Sequence, residues 1–497
     1  MIKYIFMTTG NKVWFDIASD LYDEGIATPV LWLGDDRNYL NASDKFGSSA
    51  VRMLEFVHRP YNINNINYSG EYEDFFRSEN YYKAKDICLK MMDRLDHYGT
   101  FSRADRECYF HNIATWALKH LYHHRPDSLI MVELAHSHAQ YLIYQIACYL
   151  NLKIANFKDN PLAPFLFFQK NDGKLIQKNF KSNVELSEKM IEEVKNYAKK
   201  ISKLSSHIHK TYSPPYMEQQ KNNRRLLPLI KNFFAQDLIF FLKDIKFNLF
   251  NYFKGIYNPI NPYQNSLYVR FGMMKKKKDN LIKACFRLAE NFKFDKNYVY
   301  FPLHFEPEKS TNPEGGDFHD QFLALVALRK LLPLSTSIVV KEHPSQLHFL
   351  LKGSKGRSSL FYKLIKNIKG VIFVGIENDT FDLIRNSTLV ATITGSVAIE
   401  AALVGKVGLV FGRTWYEGCP NTIKWNRDLT FEDLTSLKIE DEEKITNFLI
   451  DKFKMHGVSG FINPSFHKYF SPKWDAKKVY ANQKIEIKNI IKIFFKN

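Results

Sequence analysis

The chain has 497 residues, 45% of them hydrophobic and 25% charged, which fits several globular domains and excludes a disordered protein. Its formal net charge of +18 fits nucleic acid, an anionic membrane surface or an acidic substrate as a partner, and fits equally a lysine-rich surface that contacts only water. Five widely spaced cysteines exclude a disulfide framework and a cysteine-based zinc site and favour the reducing cytoplasm, and the sequence predicts neither a signal peptide nor a transmembrane helix.

Residues 1–160 alternate short apolar strands with amphipathic helices. Strands and helices that alternate with short connections predict a parallel sheet covered on both faces. We therefore expect a Rossmann-like lobe here. The pattern predicts strands at Lys3–Met7, Pro29–Leu33, Ser128–Val132 and Lys153–Phe157, and helices at Val13–Tyr22 and His138–Leu150.

Residues 161–296 are richer in lysine and asparagine, and their apolar residues have helical spacing. Helices are predicted at Glu185–Leu204 and Phe233–Tyr257, so we expect a helical, basic insertion or linker. The second helix combines an apolar face with lysines. That pattern fits contact with a membrane surface, and it fits better a helix that packs on its own protein.

The region from Asn297 to Gly412 has the most regular pattern and predicts a second Rossmann-like lobe at 297–470. Five apolar strands alternate with four helices, as in a doubly wound sheet. A basic amphipathic helix is predicted in the tail, 471–497. The strands of this lobe are predicted at Tyr298–Leu303, Ser337–Val340, Gly370–Val374, Leu389–Ile393 and Val407–Phe411, and its helices at Asp317–Leu332, Ser359–Ile368, Thr380–Arg385 and Val397–Val404.

Polar residues follow the strands of this second sheet, at the edge where parallel sheets bind ligands. Thr394-Gly395-Ser396 lies between a strand and a helix, where backbone N–H groups and the serine hydroxyl fit a phosphate group, although the serine also fits a plain N-cap. His343 follows another strand, where an imidazole can donate to a phosphate oxygen. Pro344 ends that strand, and Lys341 could add positive charge.

Three glutamates complete this predicted edge. Glu400 lies one helical turn after Ser396, so its carboxylate fits the hydroxyl groups of a ribose, or only water. Glu306 and Glu308 flank Pro307, and either fits a base, a sugar or a neighbouring basic residue.

The first lobe offers candidates for catalysis. Glu133 and His136 follow the strand Ser128–Val132, and Asp159 follows the strand at Lys153–Phe157. A carboxylate at such an edge acts as a base or a nucleophile, which makes Glu133 and Asp159 candidates, and His136 fits a residue that orients a substrate. The spacing His-x-His suggests a metal, but the sequence offers no evident third ligand, so no metal site is predicted.

Three segments of the second lobe resemble, in order and spacing, the motifs of bacterial capsule polysaccharide biosynthesis proteins. They are YFPLHFEPE at Tyr300–Glu308, KEHP at Lys341–Pro344 and TITGSVAIEA at Thr392–Ala401. The resemblance covers Tyr298 to Tyr416, and the first lobe is similar to the family only in outline.

This resemblance implies a glycosyltransferase of the GT-B architecture, in which two Rossmann-like lobes face a central cleft. It implies that His343 and Ser396 hold the nucleotide phosphate of a sugar donor and that Glu308 belongs to the donor site. Relatives include transferases of 3-deoxy-manno-octulosonic acid (Kdo) that use its CMP-activated form. Many of them carry glutamine where this chain has Glu306, so the donor stays open between CMP- and UDP-linked sugars.

The implied product is a capsular or other cell-surface polysaccharide, built in the cytoplasm on a polysaccharide or lipid-linked acceptor. We expect no cofactor besides the donor and no nucleic-acid partner. Peripheral contact with the inner face of the membrane and with capsule assembly proteins stays open. Two alternatives also stay open: a glycerol-phosphate-type transferase of surface polymers, and a non-catalytic assembly or export factor.

Overall fold

A computed structural model of the protein describes residues 1–34, 38–52, 70–94, 102–135, 137–204, 242, 246, 250, 253, 275–294, 297–348, 353–463 and 474–496. These residues form two compact units. The first comprises residues 1–91, 106–198 and 446–497, and the second comprises 92–105 and 199–445.

The strands of the described residues are numbered in chain order: β1 Ile2–Met7, β2 Ala27–Gly34, β3 Ser49–Arg52, β4 Ser128–Met131, β5 Lys153–Lys158, β6 Phe165–Lys170, β7 Tyr298–Pro302, β8 Ser337–Lys341, β9 Val371–Val374, β10 Leu389–Thr392, β11 Val407–Val410, β12 Thr422–Lys424 and β13 Gly457–Ser459.

The helices are numbered in the same way: α1 Lys12–Asp23, α2 Tyr39–Phe46, α3 Glu73–Arg77, α4 Glu79–Met91, α5 Arg103–His124, α6 His138–Tyr149, α7 Val184–Leu204, α8 Lys275–Leu288, α9 Gln321–Leu331, α10 Ser359–Lys366, α11 Thr380–Asn386, α12 Val397–Leu403, α13 Phe431–Thr435, α14 Glu442–His456 and α15 Ala476–Lys496.

The first unit contains a sheet in the order β13-β6-β5-β4-β1-β2-β3. Strands β1 to β5 pair in parallel, as expected from the alternating pattern. Strand β6 pairs antiparallel with β5, although it falls in the region expected to be helical. The physical reason is its short apolar run, FLFF, which is buried on both faces and is too short for a helix that packs well.

The end of the chain belongs to the first unit. Strand β13 extends the sheet beyond β6, and helix α15 packs on α1. The amphipathic helix expected in the tail is therefore present, and its apolar face, which includes Ile487, Ile490 and Phe494, is part of this unit's hydrophobic core. The contacts assign residues from Thr446 onward to the first unit, whereas the expected boundary lies at 470.

The second unit contains a sheet in the order β12-β11-β10-β7-β8-β9, in which every pair is parallel. The five expected strands are present, and β12 adds a sixth. Helix α9 begins later than expected because the Asp320 side chain accepts from the Phe322 N–H at 3.0 Å and caps the helix there. The α/β class and the two Rossmann-like lobes predicted from the sequence are confirmed.

The basic helix predicted at Phe233–Tyr257 lies outside the described residues, apart from four helical positions at 242, 246, 250 and 253. Among the helices that the structure describes, none combines the length and the hydropathy needed to cross a bilayer.

Candidate functional site

The carboxyl ends of β8, β7 and β10 lie side by side in the second sheet. His343, His304 and the turn Thr394–Ser396 follow these three strands. Because β8 and β10 flank β7, their axes lie about 10 Å apart. A nucleotide spans a distance of this order, and His304 follows β7, the strand between them.

His304 is tied to the turn after β10. Its Nε2 lies 2.9 Å from the Thr392 hydroxyl and accepts from the Thr394 N–H at 3.4 Å. A backbone N–H can only donate, so Nε2 is unprotonated and Nδ1 carries the proton. Burial, together with the nearby Arg357 charge, lowers the pKa of His304 to about 4, so the imidazole is neutral at physiological pH.

His343 is held in the opposite tautomer. It caps the short 3₁₀ turn Pro344–Leu347, where its Nδ1 accepts from the Ser345 N–H at 3.2 Å. The proton therefore resides on Nε2, which is a hydrogen-bond donor. Burial lowers the pKa of His343 to about 3, and the positive charges of its neighbours add to this shift. Pro344 opens the turn and so sets the position of the capping imidazole.

The turn after β10 is held from both sides. The Thr394 hydroxyl donates to the Ser310 carbonyl at 2.7 Å, and the buried Tyr416 hydroxyl donates to the Gly395 carbonyl. The Gly395 N–H donates to the Thr392 hydroxyl oxygen at 3.3 Å. A methyl group at Gly395 would lie 2.8 Å from that oxygen, so only glycine allows this close approach.

Ser396 does not cap helix α12 through its side chain. Its hydroxyl instead donates to the Glu400 carboxylate at 2.7 Å. Glu400 is 9% exposed, and burial raises its pKa against the effect of the Ser396 hydrogen bond. Helix α12 spans Val397–Leu403, close to the predicted Val397–Val404.

Two buried glutamines form hydrogen bonds with the loop after β7. The Gln321 amide accepts from the His304 N–H at 2.8 Å and donates to the Glu306 carboxylate at 2.7 Å. The Gln346 amide accepts from the Glu306 N–H and donates to the Glu306 carbonyl, both at 2.8 Å, and also donates to the Gly353 carbonyl. Glu306, 4% exposed, is therefore fixed in backbone and side chain.

A buried ion pair joins the loops after β7 and β8. Arg357 Nε lies 3.0 Å from Glu342 Oε2, and the Arg357 guanidinium donates to the His304 carbonyl at 2.9 Å. The Tyr362 hydroxyl donates to the same carboxylate at 2.8 Å. The guanidinium also lies over the Phe361 ring, 4.4 Å from its centroid. These contacts fix the relative position of the two histidine-bearing loops.

The other predicted charges have different surroundings. Lys341 donates to the Asn378 carbonyl and to the Thr380 hydroxyl, so it holds the loop after β9. Burial lowers the pKa of Lys341 to about 8. Glu308 is exposed and accepts from the Ser310 hydroxyl at 3.1 Å.

The predicted catalytic residues belong to the first unit. Glu133 follows β4 and Asp159 follows β5, and these two strands are neighbours, so both half-buried carboxylates lie at one edge of that sheet. His136 lies outside the described residues. Within the described ranges, no group of three histidine, cysteine or acidic side chains is arranged to hold a metal ion.

The sequence placed His304 at this edge without giving it a role, and it did not predict Gln321, Gln346 and Arg357 as parts of the site. His304 stood inside the first motif, and its place at a strand end was the only available indication. Gln346 lies in the turn that His343 caps, whereas Gln321 and Arg357 lie farther from a strand end, and only the folded chain brings them to the edge.

No family model and no curated protein matches the chain. Among solved structures, the chain is similar to the beta Kdo 2,7 transferase KpsC of Thermosulfurimonas dismutans, with 11% identity, 70% of this chain and 80% of that chain covered, and a TM-score of 0.27. It is similar to the beta Kdo 2,4 transferase KpsC of the same organism, with 11% identity, coverage of 65% and 79%, and a TM-score of 0.25. It is also similar to the UDP-GlcNAc 2-epimerase of Neisseria meningitidis, with 13% identity, full coverage of both chains (100%) and a TM-score of 0.22. Scores this low support no inference about activity.

Proposed function

We propose that the chain is a glycosyltransferase that binds a nucleotide-activated sugar at the carboxyl edge of the second sheet and transfers the sugar to a growing cell-surface polysaccharide. The observation that carries the proposal is the pair of neutral, tautomer-fixed imidazoles at this edge, of which His304 contacts the turn Thr394–Ser396 and His343 follows β8. Fixed donors stabilise the charge that develops on a leaving nucleotide without reorganising during the reaction.

Under this proposal, the residues at the edge have separate tasks. His343 Nε2 donates to a phosphate oxygen, and Ser396 with the backbone of the turn holds a second part of the nucleotide. Glu400, whose carboxylate already accepts from Ser396, accepts from ribose hydroxyls. Glu306 and Glu308 face the sugar or base, and Lys341 acts indirectly by holding the loop after β9.

The acceptor side is assigned to the first unit. Glu133 or Asp159 would act as the base or nucleophile, with His136 orienting the acceptor. The donor is a CMP- or UDP-linked sugar, with CMP-Kdo the first to test because of the motif resemblance. The reaction is assigned to the cytoplasm, with capsule assembly proteins and the inner membrane face as expected partners. No metal or other cofactor enters the proposal.

Binding of nucleotides tests the donor site directly. We expect one of CMP, UDP, CDP or GDP to bind in titration calorimetry, and His343→Ala and Ser396→Ala each to weaken that binding by about 1–3 kcal/mol, the cost of losing a hydrogen bond to a charged group. The matched control is His456→Ala, which removes a half-buried histidine of the first unit whose Nδ1 lies 3.2 Å from the Ile176 carbonyl oxygen. This variant should bind nucleotide as the wild type does. Failure of all four nucleotides to bind would contradict the proposal.

Transfer is tested with the nucleotide that binds. Release of that nucleotide from its sugar conjugate should require an oligosaccharide acceptor, and Glu133→Gln or Asp159→Asn should abolish release while leaving nucleotide affinity unchanged. If both variants release the nucleotide as fast as the wild type does, these two carboxylates have no part in the reaction.

A further inference from the structure

Among the buried side-chain groups of the first unit that have no partner in the described residues, three hydrogen-bond donors lie near the carboxyl ends of the neighbouring strands β1 and β2. They are the Thr8 hydroxyl, Asn11 Nδ2 and Trp32 Nε1. Their residues are 4%, 6% and 0% exposed. A buried donor without a partner is costly, and such groups are usually satisfied by water, an ion or a ligand. Three of them near the ends of two neighbouring strands call for a common explanation.

The sheet register brings two of these donors together. The Thr8 N–H donates to the Leu33 carbonyl at 2.8 Å, which extends the pairing of β1 with β2 by one residue. A methyl group at Gly34 would lie 2.5 Å from the Thr8 hydroxyl oxygen and 2.6 Å from Trp32 Nε1. Both donors thus converge over the bare Cα of Gly34, on the face of the sheet that α1 covers.

The third donor lies at the beginning of α1. Asn11 is the N-cap residue, and its Oδ1 accepts from the Val13 N–H at 3.2 Å, which holds Nδ2 at the first turn of this twelve-residue helix. The backbone N–H groups of Gly10 and Lys12 make no hydrogen bond within the described part of the chain. Helix N-termini with such N–H groups bind anions.

The position in the fold also favours a ligand. Strand β1 lies between β2 and β4, so the chain leaves it toward one side of the sheet and later returns on the other. Parallel sheets bind ligands at such a switch point. The available side-chain groups here are a hydroxyl, an amide NH₂ and an indole N–H, and the Lys12 ammonium is already paired with Asp16. This set suits an acceptor of hydrogen bonds with negative charge.

We propose that the loop Thr8–Lys12, with Trp32, binds the anionic group of a sugar, a carboxylate or a phosphate. If the proposed glycosyltransfer holds, this sugar belongs to the acceptor; that assignment rests on the proposed function, whereas the anion site does not. The Val132 N–H donates to the Met7 carbonyl at 2.9 Å, so Glu133 follows directly on the neighbouring strand end. An acidic sugar held by the loop would lie beside this candidate base.

The test uses the full chain and a Thr8→Val variant, which keeps the shape of the side chain and removes only the hydroxyl. Melting temperatures are measured with inorganic phosphate, D-glucuronate or D-glucose at matched ionic strength. We expect phosphate or glucuronate, but not glucose, to raise the melting temperature of the wild type. In Thr8→Val this increase should vanish, while the melting temperature without ligand should equal or exceed that of the wild type, because no satisfied hydrogen bond is lost.

Two further variants serve as controls. Thr115→Val removes a buried hydroxyl that donates to the His111 carbonyl at 2.9 Å, so it should lower the melting temperature and retain the response to the anion. His343→Ala, in the other unit, should also retain it, which separates this site from the donor site. Response to phosphate alone or to glucuronate alone identifies the anionic group. An absent response in the wild type, an undiminished response in Thr8→Val, or a loss of stability in Thr8→Val as large as that in Thr115→Val overturns the proposal.

Discussion

The two units use charge in different ways. In the first unit, Lys488 of α15 pairs with Asp20 and Glu24 of α1 at 3.2 and 2.9 Å, and these side chains are 21%, 27% and 37% exposed. In the second unit, Arg357 and Glu342 pair at 3.0 Å with exposures of 2% and 0%. Exposed ion pairs contribute little free energy, whereas a buried pair is costly to break. The ion pairs of the first unit join helices α1 and α15, whereas the buried pair of the second unit fixes the geometry of the candidate site.

The largest effect is expected from breaking the buried pair. Arg357→Met leaves the Glu342 carboxylate buried without its cation, which should lower the free energy of unfolding by about 3–5 kcal/mol in chemical denaturation. The double variant Glu342→Leu/Arg357→Met removes both charges and should lose less than Arg357→Met alone. If Arg357→Met loses no more stability than the double variant does, the ion pair does not have the role assigned to it.

The next largest loss of stability is expected from substituting Gln346, one of the two buried glutamines that bond the loop after β7. Gln346→Leu leaves the N–H and carbonyl of Glu306 and the carbonyl of Gly353 without their partner, which should lower the free energy of unfolding by about 2–3 kcal/mol. Nucleotide affinity should fall too, because the loop that bears His304 and Glu306 loses its support.

The first unit offers a matched control for this variant. Gln483 is also fully buried, and its amide accepts from the Phe461 N–H at 3.1 Å and donates to the Phe461 carbonyl at 2.9 Å. Gln483→Leu should cost similar stability and leave nucleotide affinity at its wild-type value. Loss of nucleotide affinity in both variants to the same degree would mean that Gln346 supports only the fold.

What the sequence could predict depends on whether a feature is set by neighbouring residues or by contacts between residues far apart in the chain. Apolar runs such as Ile338–Val340 and Leu389–Ala391 indicate their strands directly, because a buried parallel strand has no polar positions. The strand order then follows from short right-handed connections, which brings His343 and Ser396 to one edge. The tautomer of His304 does not follow, because it is set by the Thr394 N–H, 90 residues away, and the position of Glu306 depends on Gln346, 40 residues away. Strand β6 was missed because a four-residue apolar run has no period.

A smaller effect is expected from pH. The pKa of His343 lies at about 3 in the folded chain, below its ordinary value of about 6.5, so the unfolded chain binds more protons between these values. The contribution of His343 is therefore complete above pH 6.5 and declines as the pH falls toward 3. Between pH 7.5 and 5.5 the loss should be about 1 kcal/mol. His343→Asn, which retains a capping oxygen, should show a loss of stability smaller by that amount over the same range. An unchanged pH dependence would argue against a neutral imidazole at this position.

The smallest effect belongs to the exposed pairs of the first unit. Lys488→Met removes the charge but keeps most of the apolar stem that lies along the helix, so the free energy of unfolding should fall by less than about 1 kcal/mol. Because Glu24 also pairs with Lys492, and Asp20 with Lys484, one loss is partly compensated. The difference from wild type should shrink further in 1 M salt, where the Debye length is about 3 Å. The deficit of Arg357→Met should persist at that salt concentration, because water and ions do not reach its buried partner; equal screening of the two variants would erase the distinction between the units.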